Sequence, residues 1–535
     1  MEDGSPLMGA VSRAELKFIF SLGLLLCLVT TLPYLVGYFA SYPGTVFTGI
    51  IEHSADTNNY LSYAHQAASG KWLFRNQMTG EPHADVFFNL EWLLIGKISA
   101  LLGVSLPVGL SLLRLSCLLL MGFGVYWLST FLLGTVFARR VALVAIMAGG
   151  GFGWMAALHL LHIPIDSSYF LDLTAALQFP FYWALKLPHF LVSETFVVLG
   201  LCFFLRAETR HRLSDYFAAG GCYLASGACR PYDMLFLMCA TALYLAIDCR
   251  ERFSWDVPRR ALPIFLCLPL LGYEFWIFKI HPVFRWWSLP GLPPPSPWLL
   301  ALSFGLSFLL FVAALWRWKK MKLDRAGMFM ACCLGSAVLF VYTYRWFHFS
   351  FQFATNIVVP LVLLGMMVFE GPMMRWKQKR SWGTAFLFGA LVVNSLTSVA
   401  LTGQVIVLAA KGDFRMNQQQ REAFCWLDRH SDANDLVLAD FEISNHLPQY
   451  THNAVFCGYG NTVHYAEKSQ AQLSFFKADT SAQARADLLA QHDIRFVFAT
   501  PEEAGQLLAS AQALPLEQIF RNDAAVVYRV IHDKH

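Results

Sequence analysis

Long apolar runs recur along most of this chain, and they limit the folds open to it more than any other feature. Of its 535 residues, 56% are hydrophobic and 14% are charged, whereas a soluble protein carries roughly 25% charged residues. Runs long enough to cross the ~30 Å hydrocarbon core of a bilayer continue down to about Ala410. The composition therefore predicts an integral membrane protein, and the small net charge of +4 gives no indication of a nucleic-acid partner.

The apolar runs predict a mainly α-helical, polytopic protein with about eleven transmembrane helices. Basic residues cluster at alternate connections, for example at Arg139–Arg140 and Arg259–Arg260. The positive-inside rule then places the N-terminus in the cytoplasm, and an odd number of spans places the C-terminus on the opposite face. The spans are predicted at residues 18–40, 108–137, 141–160, 190–206, 213–229, 232–249, 261–279, 297–316, 326–344, 353–370 and 383–410.

The composition becomes that of a soluble protein from Lys411 onward. We therefore predict a transmembrane domain at residues 1–410 and a small extracytoplasmic α/β domain at residues 411–535. Cys425 and Cys457 lie in the second domain, where an oxidising compartment would allow a disulfide, and two buried thiols are the alternative. The predicted helices of this domain are Asn417–His430, Ala482–Gln491 and Glu502–Ala511, and its predicted strands are Leu436–Ala439, Ala454–Phe456, Ile494–Ala499 and Ala524–Val530.

Three long connections lie on the predicted outer face, at residues 41–107, 161–189 and 280–296. Long loops on a rigid scaffold commonly carry function, and these loops are rich in aromatic, His, Asp and Arg residues. Within the first loop, Phe87–Ile98 is too short and too charged to cross a bilayer, and it predicts a helix that lies in the membrane interface.

Asp56 follows the first span and is the leading candidate for a catalytic residue. If the segment around it is helical, Glu52, Asp56 and Tyr60 lie on one face. A carboxylate at the bilayer surface is costly unless it has a function, and beside aromatic rings it suits general-base catalysis. The alternative is that Asp56 caps a helix over Thr57–Ser69, and Gly70 fits the stop of this helix in either case.

Further candidates are polar residues in or beside the outer loops, and each has a structural alternative. Arg230 and Asp233 lie between two short spans, where they could line a substrate path or pair with each other. Arg345 suits a phosphate because its guanidinium is planar and forked, although it could equally reach the lipid headgroups. The remaining candidates for substrate binding are Glu52, Tyr60, Glu81, His83, Asp166, Asp172, His189 and Gln352.

The segment Asp56-Thr57-Asn58-Asn59-Tyr60 is similar to the acidic motif in the first external loop of the GT-C superfamily of membrane glycosyltransferases. Glu81-Pro82-His83 resembles the His-Pro segment that follows it, and residues 425–451 resemble the soluble tail. Along nearly its whole length the chain resembles bacterial relatives of protein mannosyltransferases and aminoarabinose transferases. Thr57 departs from the motif, because a second carboxylate directly after Asp56 is absent, and a paired-carboxylate metal site is therefore not expected.

The resemblance implies a glycosyltransferase that moves a sugar from a polyprenyl-phosphate-linked donor to an acceptor hydroxyl on the extracytoplasmic face of a bacterial inner membrane. Asp56 would be the general base, and a single displacement would invert the anomeric centre. Arg345 or Arg230 would stabilise the leaving phosphate. The acceptor would be a glycan, a lipid or a protein of the cell envelope. No cofactor is required, and a divalent cation is an optional ligand.

Two alternatives use similar parts. An oligosaccharyltransferase or oligosaccharide ligase of the same superfamily would use a pyrophosphate-linked donor. A transporter or flippase of lipid-linked sugars would also place charges within a helical bundle, but it predicts inverted repeats, and we find no such repeat in the sequence.

Overall fold

The computed structural model describes residues 11–52, 54–161, 170–175, 177–251, 256–286, 293–318, 323–379, 381–508 and 514–531. In this part of the chain the structure is mostly helical, and seven helical segments are long and apolar enough to cross a membrane. These segments are Arg13–Phe39, Leu106–Ser129, Pro188–Arg210, Pro231–Arg250, Leu262–Ile280, Ser350–Trp376 and Gly383–Ala410. The prediction of a polytopic, mainly α-helical membrane protein is confirmed.

The α-helices are numbered in chain order. They are α1 Arg13–Phe39, α2 Ser54–Ala68, α3 Leu90–Leu102, α4 Leu106–Ser129, α5 Val136–Met147, α6 Leu171–Thr174, α7 Pro180–Lys186, α8 Pro188–Arg210, α9 Leu213–Cys229, α10 Pro231–Glu251, α11 Val257–Arg260, α12 Leu262–Phe275, α13 Pro297–Leu302, α14 Gly305–Trp318, α15 Arg325–Val341, α16 Val358–Lys379, α17 Ser381–Ala410, α18 Gln418–His430, α19 Phe441–His446, α20 Tyr465–Phe476, α21 Ala482–Gln491 and α22 Pro501–Leu508.

The structure differs from the predicted span at residues 141–160. Helix α5 ends at Met147, and a 3-10 helix over Gly153–Leu161 follows it. Between them lies Gly149-Gly150-Gly151, where a β-carbon on each residue would meet neighbouring atoms at between 2.1 and 2.4 Å. The glycine run therefore interrupts the helix and permits close packing.

Contacts divide the chain into two compact units. The first, here called the helical unit, comprises Met1–Pro33, Leu112–Gly272 and Gly291–Val407. The second, here called the mixed unit, comprises Tyr34–Ser111, Tyr273–Pro290 and Leu408–His535.

A buried ionic network joins several helix ends within the helical unit. Arg260 of α11 pairs with Glu208 of α8 at 2.6 Å and with Asp248 of α10 at 2.7 Å. The Glu208 carboxylate also accepts hydrogen bonds from the hydroxyls of Tyr216 and Tyr244, each at 2.8 Å. Because each of these charges has a partner, the network offsets the hydration that the side chains lose on burial.

The mixed unit is built around a five-stranded sheet with the strand order β4-β3-β5-β7-β6. Strands β4, β3 and β5 are parallel, and β7 and β6 are antiparallel to their neighbours. Phe496 and Phe498 lie in the core on one face of the sheet, and Val497 and Tyr528 lie in the core on the other, as the period-2 alternation of strands requires. The strands are β1 Thr45–Phe47, β2 Arg415–Asn417, β3 Leu436–Leu438, β4 Ala454–Val455, β5 Ile494–Ala499, β6 Leu516–Arg521 and β7 Val526–Val530.

The small C-terminal α/β fold is confirmed, and two of its elements match their predicted bounds at both ends. These are the strand Ile494–Ala499 and the helix Ala482–Gln491. The strand Leu516–Arg521 and the helix Tyr465–Phe476 were not predicted. Cys425 and Cys457 are free thiols, and of the two only Cys457 is buried, while Cys425 is partly exposed. The possible disulfide between them is therefore not formed in this structure.

The first outer loop folds together with the C-terminal residues inside the mixed unit. Strand β1 pairs antiparallel with β2. Further along the loop, the Gln77 carbonyl accepts a hydrogen bond from Val455 N at 2.9 Å, and the Met78 carbonyl accepts one from Gly458 N at 3.1 Å. This segment covers the β4 edge of the sheet, and the fully buried Met78 side chain joins the sheet core. The loop is therefore bound to the edge of the sheet by backbone hydrogen bonds and packs into its core.

Helix α3 overlaps the predicted segment Phe87–Ile98, so a helix in this region is confirmed. Helix α2 packs closely on it. A β-carbon on Gly96 of α3 would lie 2.3 Å from the Ala64 carbonyl oxygen and 2.5 Å from the β-carbon of Ala67. Only glycine permits this approach without displacement of α2. The position of α2 is thus fixed on one side by α3.

Candidate active site

Asp56 lies in the first turn of α2, which begins at Ser54. The helix starts before the position expected if Asp56 were its cap, and Gly70, with φ of 106°, follows its end as predicted. The Asp56 side chain is partly exposed. A carboxylate in a first turn is favoured by the positive end of the helix dipole, so the helix start stabilises the charged form of Asp56.

Two tyrosines of α2 stack on one tryptophan of α3. The rings of Tyr60 and Trp92 are 5.0 Å apart and inclined by 15°, and those of Tyr63 and Trp92 are 4.8 Å apart and inclined by 10°. Offset stacking of this kind adds about 0.5–1.5 kcal/mol to the burial of each pair. These two stacks fix α2 against α3.

Buried amide groups join α2 to the C-terminal residues of the mixed unit. Asn58 Nδ2 donates to Asn445 Oδ1 at 2.8 Å and lies 3.1 Å from His446 Nδ1. One residue further along, Asn59 Oδ1 accepts a hydrogen bond from Asn461 Nδ2 at 3.3 Å. Asn58 is fully buried and Asn59 is 3% exposed. These contacts attach Asn58 and Asn59, which lie two and three positions after Asp56, to the C-terminal residues.

Glu81 and His83 hold the loop after α2 in place. Burial alone would raise the pKa of Glu81, but hydrogen bonds from Lys468 and Thr79 lower it below its ordinary value. His83 Nε2 accepts from Asn76 N at 2.8 Å, and Nδ1 lies 2.7 Å from the Glu81 carbonyl oxygen. Burial lowers the pKa of His83, so its imidazole is neutral, with Nδ1 as the donor. A role of Glu81 and His83 in substrate binding stays a prediction.

The buried His446 makes the mixed unit sensitive to acid. Burial lowers the pKa of His446 from 6.5 to about 4. Below pH 6.5 His446 binds a proton in the unfolded chain, whereas in the folded chain it does so only near pH 4. The contribution of the neutral His446 to the free energy of unfolding is therefore complete above pH 6.5 and is lost as the pH falls from 6.5 to about 4. At about 1.4 kcal/mol per pH unit, the loss between pH 7 and pH 4.5 amounts to roughly 2 kcal/mol.

We therefore expect His446→Gln to unfold with a weaker pH dependence than the wild-type protein. The free energy of unfolding should fall by about 2 kcal/mol more in the wild type than in the variant between pH 7 and pH 4.5, as measured by thermal or denaturant unfolding. His464→Gln, which changes an exposed histidine of the same unit, should retain the wild-type profile. Equal pH dependence in all three proteins would contradict the buried neutral state of His446.

Arg230 and Asp233 form a buried cluster in the helical unit, between α9 and α10. Arg230 Nη1 lies 2.9 Å from Asp233 Oδ2 and 3.8 Å from Glu194 Oε1 of α8. Asp233 also accepts hydrogen bonds from Ser193 at 2.5 Å and from Asn356 at 3.1 Å. The ion pair expected as the structural alternative for Arg230 is thus present. The carboxylates of Asp233 and Glu194 share the Arg230 guanidinium, and they compensate its positive charge.

The other candidates of the helical unit lie in different surroundings. Gln352 Oε1 is 3.5 Å from Arg230 Nη2, at the margin of the cluster. Arg345 is exposed on a turn after α15. The ring of His189 lies 4.2 Å from that of Phe190. Asp166 lies outside the described residues.

Asp172 holds the glycine-rich turn. Its Oδ2 accepts a hydrogen bond from Gly153 N at 2.9 Å, and a β-carbon on Gly153 would meet that same oxygen at 2.7 Å. The side chain is fully buried, and burial raises the pKa of Asp172 to about 6. This geometry gives Asp172 a structural role, while its contact with substrate remains a prediction.

Sequence reasoning did not select several residues that these clusters contain. Glu194 carried a local signal, because an acidic residue within an apolar span is usually functional or paired. Asn445, His446 and Lys468 carried none, since their contacts are distant in sequence: Asn58 and Asn445 are 387 residues apart.

No group of three or more His, Cys, Asp or Glu side chains is arranged to hold a metal ion in the part of the chain that the structure describes. Beside Asp56 the next residue is Thr57. We derive no chemical step through a divalent cation.

No family model and no curated protein matches the sequence, but solved structures do. The oligosaccharyltransferase of Archaeoglobus fulgidus matches with a TM-score of 0.58 at 11% identity, over 90% of this chain and 69% of that one. ArnT from Cupriavidus metallidurans, bound to undecaprenyl phosphate, matches with 0.55 at 11% identity, over 96% and 98%. The mycobacterial arabinofuranosyltransferase AftD matches with 0.56 at 14% identity, over 98% of this chain and 42% of that one.

These structures share their fold with the present chain along nearly its whole described length. The match covers both the apolar helices and the C-terminal residues, because ArnT aligns over 96% of this chain. At 11–14% identity the similarity establishes the fold, and the activity requires a separate argument. The chain therefore has the fold of these three solved structures, as its resemblance to the GT-C superfamily predicted.

Proposed function

We propose that this chain is an integral-membrane glycosyltransferase that moves a sugar from a polyprenyl-phosphate-linked donor to an acceptor hydroxyl. The observation that carries the proposal is the match to ArnT over 96% of this chain and 98% of that one. ArnT was solved with undecaprenyl phosphate, which supports a donor of the same chemical class. A catalytic role for Asp56 is supported by its position, because it lies partly exposed in the first turn of a helix that is packed on α3.

In the proposed reaction Asp56 is the general base. Its carboxylate takes the proton of the acceptor hydroxyl while that oxygen forms a bond to the anomeric carbon. The bond between this carbon and the phosphate oxygen breaks, and the polyprenyl phosphate leaves with the electron pair. Because attack and departure occur on opposite sides of the carbon, the anomeric configuration is inverted. A positioned base of this kind contributes about 10²- to 10⁴-fold to the rate.

For the leaving phosphate we favour Arg345 over Arg230. Arg230 already pairs with Asp233 and Glu194, and a phosphate would add negative charge to a cluster that holds two carboxylates. Arg345 is exposed, and its forked guanidinium can meet two phosphate oxygens at once. In this assignment Arg230 organises the helices and Arg345 binds the donor.

The remaining parts of the proposal follow from the topology expected from sequence. The N-terminus lies in the cytoplasm, and the C-terminal residues lie outside a bacterial inner membrane. The acceptor is a glycan, a lipid or a protein of the cell envelope. Catalysis needs no cofactor.

The test is a transfer assay with the full chain in lipid vesicles. Undecaprenyl phosphate that carries a tritiated hexose, pentose or aminopentose is offered separately, together with a lipid and glycan extract of the source membranes. We expect one donor to transfer label to the extract with release of one undecaprenyl phosphate per sugar.

Two results would replace the proposal with an alternative. If labelled lipid crosses the vesicle bilayer while no transfer product forms, the protein is a transporter. If sugar moves only from a pyrophosphate-linked oligosaccharide, it is an oligosaccharyltransferase, the activity named for the A. fulgidus neighbour.

A further inference from the structure

One buried asparagine near the C-terminal end of α19 contacts the first turn of α2 on both sides of Asp56. Asn445 Nδ2 donates to the Ala55 carbonyl oxygen at 3.1 Å. Its Oδ1 accepts from Asn58 Nδ2 at 2.8 Å. Asn445 therefore binds the residue directly before Asp56 and the residue two positions after it.

The orientation of the Asn445 amide is fixed by all of its polar partners. Its Nδ2 donates to two carbonyl oxygens, those of Ala55 and Gly458, at 3.1 and 3.3 Å. Its Oδ1 meets a donor, the amide of Asn58. A flipped amide would place an oxygen between two carbonyl oxygens and leave three groups unpaired, which buried polar groups do not tolerate. Asn445 is 4% exposed, so water cannot easily replace these bonds.

The element that carries Asn445 is itself firmly held. Asp440 caps α19 through a hydrogen bond from Ile443 N at 2.7 Å, and Ile443 is buried in the sheet core. His446, the next residue, lies 3.1 Å from Asn58 Nδ2. The sheet core therefore fixes α19, and α19 fixes the first turn of α2 through side chains that are fully or largely buried.

We propose that Asn445 is a positioning residue for Asp56. It holds the first turn of α2 so that the Asp56 carboxylate points in the direction that proton abstraction requires, and removal of its amide lets this turn move. The inference rests on the proposed function, because it assigns Asn445 a role in the reaction of that same site. A displacement of about 1 Å at a reacting group can reduce the rate by roughly 10²-fold.

The test compares two variants with a matched control. Asn445→Ala removes all three hydrogen bonds, whereas Asn445→Asp keeps the size and the acceptor for Asn58 but loses both donors. Asn453→Ala removes another buried amide of the same unit, whose hydrogen bonds in the described residues go to Ser431, Asp432 and Asp435 and not to α2. The measurements are kcat and KM for the labelled undecaprenyl-phosphate donor, and hydrogen exchange of the peptide 52–60.

For both Asn445 variants we expect kcat to fall by roughly 10- to 100-fold, with the donor KM within about threefold and faster exchange in residues 52–60. Asn453→Ala should keep kcat within about twofold and exchange unchanged in that peptide. In an Asp56→Asn background, Asn445→Ala should alter the residual rate by less than about twofold, because no carboxylate remains to be positioned. A merely structural role would lower both rates alike.

Three outcomes would overturn the inference. The first is a kcat for Asn445→Ala close to that of the wild type while Asp56→Asn is inactive. The second is an equal loss in the Asp56→Asn background. The third is unchanged exchange in residues 52–60. If instead the wild-type protein transfers no sugar from any donor, the proposed function fails, and the exchange measurement alone decides whether Asn445 anchors the turn.

Discussion

Asp56→Asn is expected to lower the rate of sugar transfer by roughly 10²- to 10⁴-fold, the usual contribution of a positioned general base. The amide has nearly the same size as the carboxylate but cannot accept a proton at neutral pH. Because Asp56 is partly exposed in the first turn of α2, its replacement removes little packing, and the folded state should survive. The measurement is kcat in the vesicle assay, with the melting temperature recorded for the same preparations.

Asp85→Asn is the control for this prediction. Asp85 belongs to the same loop and pairs with Lys71 at 2.7 Å, with both side chains more than a third exposed. Exposed pairs contribute at most about 1 kcal/mol, so this variant should keep both its rate and its melting temperature. If Asp56→Asn transferred sugar as fast as Asp85→Asn, Asp56 would not be the base, and the catalytic carboxylate would have to be sought among the other acidic residues.

Local pattern was sufficient for the elements whose stability is decided by their own residues. Ile494–Ala499 is a strand because its apolar, β-branched and aromatic residues pack on both sheet faces, and Ala482–Gln491 is a helix of strong helix formers that begins after the Ser481 cap. The stop of α2 at Gly70 was likewise predictable, since the left-handed conformation after a helix favours glycine, whereas its start at Ser54 lies before the expected position.

Contacts between distant segments could not be predicted in this way. Nothing in the neighbourhood of Met78 indicates that it enters the core of a sheet whose strands begin at Leu436. The same holds for Asn445, because a buried asparagine and an exposed one look alike in a sequence. Only part of the candidate site could therefore be proposed from the sequence. The candidate carboxylate was selected from its position after a span, while the residues that hold its helix depend on the fold.

Arg230→Ala is expected to destabilise the protein strongly, in contrast to Arg345→Ala. The guanidinium of Arg230 is 7% exposed and lies between the carboxylates of Asp233 and Glu194. Its removal leaves two buried acids without their cation, and breaking a buried ion pair in this way costs about 3–5 kcal/mol. Arg345 is exposed, so its removal should leave the melting temperature unchanged. Thermal unfolding of the two variants measures the difference.

The same pair of variants separates organisation of the helices from binding of the donor lipid. Undecaprenyl phosphate at 100 times its Kd should stabilise the wild type by about 2.7 kcal/mol, and Arg345→Ala should lose most of this gain.

Arg260→Ala provides the matched control for Arg230→Ala, because Arg260 is also buried between two carboxylates, Glu208 and Asp248. The Arg260→Ala substitution should therefore destabilise the protein by a similar amount. If Arg230→Ala lost the response to undecaprenyl phosphate while Arg260→Ala and Arg345→Ala kept it, the phosphate would bind at Arg230. The shared guanidinium would then have to release one of its two carboxylates when the donor arrives.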